Sequence, residues 1–141
     1  VPEEYYGRLS PIRVPRPGDV LYTVTGSYGI PVLVVGSKPF CFQRHIALLR
    51  PSRGVDSQYL YSLMASPLVA QQAHAAATGM AQKTVSLRAL RAFQVPVPPI
   101  AVQQQIAAAI QTEQRAVEAS RQLADSMQAR IRAKMDEVWE A

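Results

Sequence analysis

Hydrophobic and polar positions recur with two different periods along this chain of 141 residues. Over the first fifty residues, short apolar runs alternate with turns that contain Gly or Pro. Residues 20–25, 30–35 and 40–49 are therefore predicted to be strands, and Pro31 indicates an edge strand or a strand start. Because short turns join these runs, the pattern favours a twisted, mainly antiparallel sheet.

The period then changes to three and four residues, which is typical of helices. Asp56 or Ser57 is expected to cap a first helix. A second helix is expected to begin at Ser66 and Pro67, since Ser is a good N-cap and Pro is tolerated at the first helical position. Gly79 is expected to end that second helix.

Residues 95–99, Val-Pro-Val-Pro-Pro, cannot be helical, because Pro lacks an N–H and forces the preceding residue into extended geometry. A helical pattern follows from Ala101 to about Trp139 without Gly or Pro. We therefore predict an α+β protein. A small mixed domain with a twisted, mainly antiparallel sheet and short helices (residues 1–99) precedes one long, coiled-coil-like C-terminal helix (residues 100–141).

Apolar residues of the long helix, Ala124 among them, recur at alternating spacings of three and four, and Leu123 lies beside this seam. The candidate assembly residues are Ile106, Ile110, Val117, Leu123, Met127, Ile131 and Val138. Glu113 and Ser120 occupy two positions of the same seam and weaken it. A helix of roughly 55–60 Å is too long to be covered by the preceding domain. It is expected to need a partner, or to lie along another domain.

Positive charge is concentrated before the helix. Residues 1–100 hold ten Lys or Arg against four Asp or Glu, whereas residues 101–141 hold five against six. Most of these cations are Arg, whose planar guanidinium suits phosphate groups and guanine edges. The charge favours nucleic acid as a ligand and leaves other anions open.

Several classes of function are disfavoured by the residues present. The sequence contains no Gly-rich phosphate loop, no HExxH motif and no Cys/His metal spacing, so we expect neither an enzyme nor a bound cofactor. Cys41 is the single cysteine, which excludes an internal disulfide and is consistent with a reducing cytoplasm. No apolar run reaches the length of a membrane span. Because the chain begins at Val1 rather than Met, we expect a fragment or a trimmed product.

Three segments are candidate binding sites. The candidate DNA-binding residues are Thr25, Gly26, Ser27 and Tyr28; Arg44 and His45; and Thr78, Gly79, Gln82 and Lys83. The first segment can approach a phosphate closely, or it is an ordinary hairpin turn. The second lies inside a predicted strand that would line a groove. In the third, Gln can pair with adenine and Lys with guanine or phosphate, although a helix end and a solvated loop would look the same.

Three blocks of sequence follow one another in a distinctive order. They are residues 17–29; residues 44–51 with 58–63; and Gly79 and Gln82 followed by 95–100 and 103–106. Together they resemble the specificity (S) subunit of type I restriction–modification systems. The resemblance extends over about residues 16–110.

The resemblance implies a non-catalytic target-recognition domain that binds one half of a bipartite site in double-stranded DNA. It also implies a spacer helix that docks the methyltransferase (M) subunit and, through it, the restriction (R) subunit. S-adenosylmethionine, ATP and Mg²⁺ would belong to those partners. Since one recognition domain is present where the family's subunits have two, we expect a homodimer through residues 101–138. The alternative is a protein–protein adaptor with an oligomerising helix and no DNA readout.

Overall fold

The computed structural model describes residues 14–38, 40, 42, 43 and 45–140. The chain divides into two compact units, Val1–Gln105 and Ile106–Ala141. The first unit contains a sheet and short helices, and the second unit is helical. A small antiparallel sheet, short helices and a long C-terminal helix confirm the predicted α+β class.

In the described part of the chain, the sheet has three strands: β1 (Val20–Thr23), β2 (Pro31–Leu33) and β3 (Ile46–Leu49). Their order is β2-β1-β3, and β1 pairs antiparallel with both neighbours. The edge position predicted from Pro31 is confirmed. The central strand is the most buried because it has a neighbour on each side.

All three strands are shorter than the sequence pattern predicts, and the third, β3, differs most. It begins at Ile46 because the Ile46 N–H donates to the carbonyl of Gln43 at 3.1 Å, which closes a turn. The prediction that Arg44 and His45 lie inside a strand is therefore wrong for His45, which precedes β3. Arg44 and Cys41 lie outside the described residues.

The first two helices begin where the sequence predicts. The Asp56 carboxylate caps α1 (Ser57–Met64) by accepting the Tyr59 N–H at 2.8 Å. Ser66 caps α2 (Pro67–Ala76), and Pro67 is its first residue. A third, five-residue helix, α3 (Leu87–Arg91), has Ser86 as its cap.

The predicted helix stop at Gly79 is wrong. The second helix ends at Ala76, and Ala77 already has extended backbone angles. The helix ends early because the backbone of Thr78 pairs with that of Thr84 and closes a loop there. Two backbone hydrogen bonds within this loop replace the next helical turn.

The core of the first unit joins the sheet to α1, α2 and the segment before α3. Its buried apolar residues are Val20, Leu21, Tyr22, Val24, Val34, Ala47, Tyr59, Leu63, Met64, Val69, Ala73 and Val85. One ion pair ties the start of β1 to the end of β3. Two guanidinium nitrogens of Arg50 donate to the 2%-exposed carboxylate of Asp19 at 2.7 and 3.0 Å.

The long helix α4 (Ile100–Trp139) has 40 residues, and its first turn belongs to the first unit. There the amide of Gln103 is fully buried and makes three hydrogen bonds. Its oxygen accepts the Asp56 N–H at 2.9 Å, and its nitrogen donates to the carbonyls of Gly54 and Pro98 at 2.9 and 2.7 Å. Over the described residues, none of the helices combines the length and hydropathy needed to cross a bilayer.

Candidate nucleic-acid interface

The first loop, residues 25–29, is held by the last residue of β1. The Thr23 hydroxyl donates to the Ser27 carbonyl at 2.7 Å and accepts the Ile30 N–H at 3.0 Å. The Thr23 carbonyl accepts the Gly29 N–H at 2.9 Å. Gly26 and Gly29 have φ of +74° and +92°, a backbone conformation that is unfavourable for residues with a side chain. One threonine therefore fixes the backbone of a tight turn, in which Ser27 is exposed.

The second loop, residues 78–84, is closed by reciprocal backbone bonds between Thr78 and Thr84, at 3.0 and 2.8 Å. Gly79 has φ of +116°, and a β-carbon there would overlap the Gln82 carbonyl oxygen. The side chains of Met80, Gln82 and Lys83 are exposed. The loop thus has an ordered base and presents one amide and one ammonium group to solvent.

The two loops lie against each other although they are far apart in sequence. The Gly26 N–H donates to the Lys83 carbonyl at 2.9 Å. The hydroxyls of Thr25 and Thr84, 59 residues apart, lie 3.4 Å from each other. A β-carbon on Gly26 would lie 3.2 Å from the Gln82 side-chain nitrogen. Two of the three segments predicted from the sequence therefore form one surface, here called the two-loop surface.

The remaining predicted segment, Arg44 and His45, contacts this surface, within the described residues, through the backbone of His45. The His45 carbonyl accepts the Val24 N–H at 2.9 Å, immediately before the first loop. Its side chain is half-buried. Arg44, as noted, is not among the described residues.

One neighbour of the surface was missed by the sequence analysis. The hydroxyl of Tyr28 lies 3.0 Å from Nδ1 of His74, in the last turn of α2. His74 is exposed within an Ala/Gln-rich helix. No spacing or motif connects it with Tyr28, 46 residues earlier.

Below the first loop lies the buried ring of Tyr22. Its hydroxyl has no hydrogen-bond partner among the described residues and would lie 3.6 Å from a β-carbon on Gly29. Burial, and secondarily electrostatic repulsion by neighbouring Tyr28, raises the pKa of Tyr22. Tyr22 therefore remains a neutral phenol and supports the loop by packing.

In the described part of the first unit, the carboxylates are bonded internally, whereas most of the cationic side chains are exposed. Its two carboxylates, on Asp19 and Asp56, bond internally to Arg50 and to the Tyr59 N–H. Burial raises the pKa of Asp19, but bonds from Arg50 and the Arg16 N–H, together with their positive charges, outweigh burial and lower it overall. The other cations are exposed; they are Arg16, Lys38, Arg53, Lys83, Arg88 and Arg91. The surface of these residues is therefore positive.

In the second unit, the predicted assembly residues are largely exposed. Six of the seven have exposed fractions from 38% for Ile106 to 69% for Val138, and the seventh, Ile110, is half-buried. Two shallow apolar depressions lie along the helix, one beside Ile110 and Val117 in its N-terminal half and one beside Ile131 and Val138 near its C-terminal end. The stripe has no covering segment among the described residues.

Comparison with known proteins relates this architecture to one family. A family model described as the type I restriction modification DNA specificity domain matches residues 3–126. The chain is also similar to a solved structure from work on complex assembly and conformational transition of the type I R-M system, with 28% identity and a TM-score of 0.60. That match covers 78% of this chain and 26% of the other, so this chain spans about a quarter of its relative's length.

Among curated proteins, no significant match was found. The family model nevertheless covers far more than half of the sequence, and the solved structure has the same fold over most of it. On this evidence, the chain belongs to the family of type I restriction modification DNA specificity domains.

Proposed function

We propose that this chain is the non-catalytic DNA target-recognition part of a type I restriction–modification specificity subunit. It binds one half of a bipartite site in double-stranded DNA through the two-loop surface. The observation that carries the proposal is the Gly26–Lys83 backbone bond, which joins the two loops into one surface. Residues 1–99 form the recognition domain, and residues 100–141 form the assembly helix.

The side chains of the two-loop surface are suited to contact both the bases and the phosphates of DNA. Gln82 carries an amide that can donate to and accept from an adenine edge in the major groove. Lys83 supplies a positive charge for a phosphate or a guanine. The tight turn at Gly26 and Ser27 allows a phosphate to approach the backbone closely, because no bulky side chain intervenes.

The charge distribution supports the same assignment. Both carboxylates in the described part of the first unit are used internally, so they do not face the exposed Lys and Arg residues as partners. A duplex carries a dense array of phosphates and binds such surfaces with release of counterions. Attraction to any duplex is expected, with Gln82 adding preference for sequence.

The assembly helix is proposed to dock the methyltransferase subunit and, through it, the restriction subunit. Burying each apolar side chain of its stripe is worth about 1.5–3 kcal/mol before ordering costs, which favours a protein partner. Methylation and cleavage, with their cofactors, belong to those partners. Because the proposed ligand is cellular DNA, we place the subunit in the cytoplasm.

The salt dependence of duplex binding tests the proposal. Lys83→Ala is expected to weaken binding to every duplex and to reduce the slope of log K against log salt by about one. Arg130→Ala removes one exposed charge from the second unit and serves as the matched control. It should leave both quantities close to those of the parent chain.

The outcomes separate DNA recognition from an adaptor function. Binding that is equal in Lys83→Ala, Arg130→Ala and the parent would exclude Lys83 from the interface. A parent chain that binds no duplex at low salt would contradict DNA recognition and favour the adaptor.

A further inference from the structure

The hydrogen bonds of Thr23 fix the backbone of the first loop, but they do not orient the ring of Tyr28. The ring can rotate about two side-chain torsions, and it is only half-buried. What holds its far end is the 3.0 Å hydrogen bond between its hydroxyl and Nδ1 of His74. The orientation of Tyr28 therefore depends on a residue from another element.

The other end of this hydrogen bond is firmly held. His74 lies in α2, which is capped by Ser66. Val69 and Ala73 on the same helix are 0% and 1% exposed, so the helix is anchored in the core. His74 thus offers Tyr28 a fixed acceptor or donor, according to the tautomer of its imidazole.

We propose that His74 is a positioning residue for DNA recognition, which holds the Tyr28 ring in one orientation on the two-loop surface. The inference rests on the proposed function and adds a residue to it. An aromatic ring that is already ordered loses less conformational entropy when it contacts a sugar or a phosphate. His74 acts through Tyr28 and needs no contact with DNA.

The orientation of Tyr28 can be measured without DNA. Three-bond NMR couplings report whether χ1 of Tyr28 populates one rotamer or several. We expect Tyr28 to populate one χ1 rotamer in the parent chain and several χ1 rotamers in His74→Ala. His74→Asn places an amide near the position of Nδ1 and should restore the single rotamer. A single, unchanged rotamer in His74→Ala would overturn the positioning role.

The consequence for recognition is tested on a fluorescent duplex with the sequence that the parent chain enriches most from a randomised pool. His74→Ala and Tyr28→Phe should each weaken binding about two- to ten-fold, the range of one hydrogen bond. The double variant should be no weaker than either single variant, because both remove the same interaction. The salt slope should stay at the parent value, and His74→Asn should restore affinity.

Two results would contradict this role while leaving DNA recognition in place. A reduced salt slope in His74→Ala would show that His74 itself binds a phosphate. Additive losses in the double variant would show that the two side chains act independently. Failure of the parent chain to bind any duplex would instead overturn the proposed function, and with it this use of Tyr28 in DNA recognition.

Discussion

At the scale of single residues, Gly79 has the most demanding backbone position in the second loop. Its φ of +116° is disfavoured for any residue with a side chain, and a β-carbon would overlap the Gln82 carbonyl. Gly79→Ala is therefore expected to lower the free energy of unfolding by about 1–3 kcal/mol or to displace the loop. Urea unfolding measures the first outcome, and duplex affinity measures the second.

The matched control is Gly36→Ala. A β-carbon on Gly36 would have no neighbouring atom within 4 Å, and its φ is not in the left-handed region. Its effect should stay within about 0.5 kcal/mol. Equal stability and equal duplex affinity in both variants would contradict the loop geometry described for Gly79.

A second residue-scale prediction concerns Asp19, whose pKa is lowered in the folded chain. A lowered pKa adds stability above the ordinary carboxyl value, and this stability is lost as pH falls through the folded value. The parent chain should therefore lose stability below about pH 4. Asp19→Asn removes the titrating group, so its free energy of unfolding should fall less between neutral and acid pH. An identical acid-induced loss in the variant would contradict the role of Asp19.

At the scale of elements, Gln103 joins the first turn of α4 to the segment that caps α1. Gln103→Leu would leave the Asp56 N–H and the Gly54 and Pro98 carbonyls without their amide partner. These groups lie at a partly buried site, so the loss of their bonds is expected to lower the free energy of unfolding by about 1–3 kcal/mol. Gln104→Leu, at the exposed next position, is the control and should change stability by about 0.5 kcal/mol or less. Equal effects of the two substitutions would contradict the anchoring role.

The elements that sequence predicts well are those determined by neighbouring residues. Asp56 and Ser66 cap helices by bonding N–H groups three residues ahead, so the local pattern is sufficient. The end of α2 was predicted wrongly because Thr84 pairs with Thr78. Likewise, β3 starts late because a turn closes before Ile46. Helix and strand propensities do not predict these individual backbone hydrogen bonds.

At the scale of the whole molecule, the sequence predicted the candidate segments but not their association. The segments around Gly26 and Gln82 were recognised separately from their glycines and polar groups. Their contact, through residues far apart in the chain, has no periodicity that sequence reasoning can detect. The pairing of Tyr28 with His74 was missed for the same reason.

The exposed stripe on α4 leads to a prediction of self-association. Ile110→Asp combined with Ile131→Asp places two charges in the stripe, and sedimentation should show that a parent dimer becomes a monomer. The control combines Thr112→Asp with Ala133→Asp, which lie about 200° further round the helix. That control should remain dimeric. A parent chain that is monomeric at tens of micromolar would contradict the homodimer and favour a methyltransferase subunit as the partner.

The central claim is that the two-loop surface reads the sequence of duplex DNA, and selection from a randomised duplex pool tests it most directly. The parent chain should enrich a defined short sequence, and Gln82→Ala should relax the preference at one base position while retaining the others. The loss at that position should correspond to about 1–3 kcal/mol of discrimination. Enrichment of no sequence by the parent chain, or the same preference at every position in Gln82→Ala, would contradict the account.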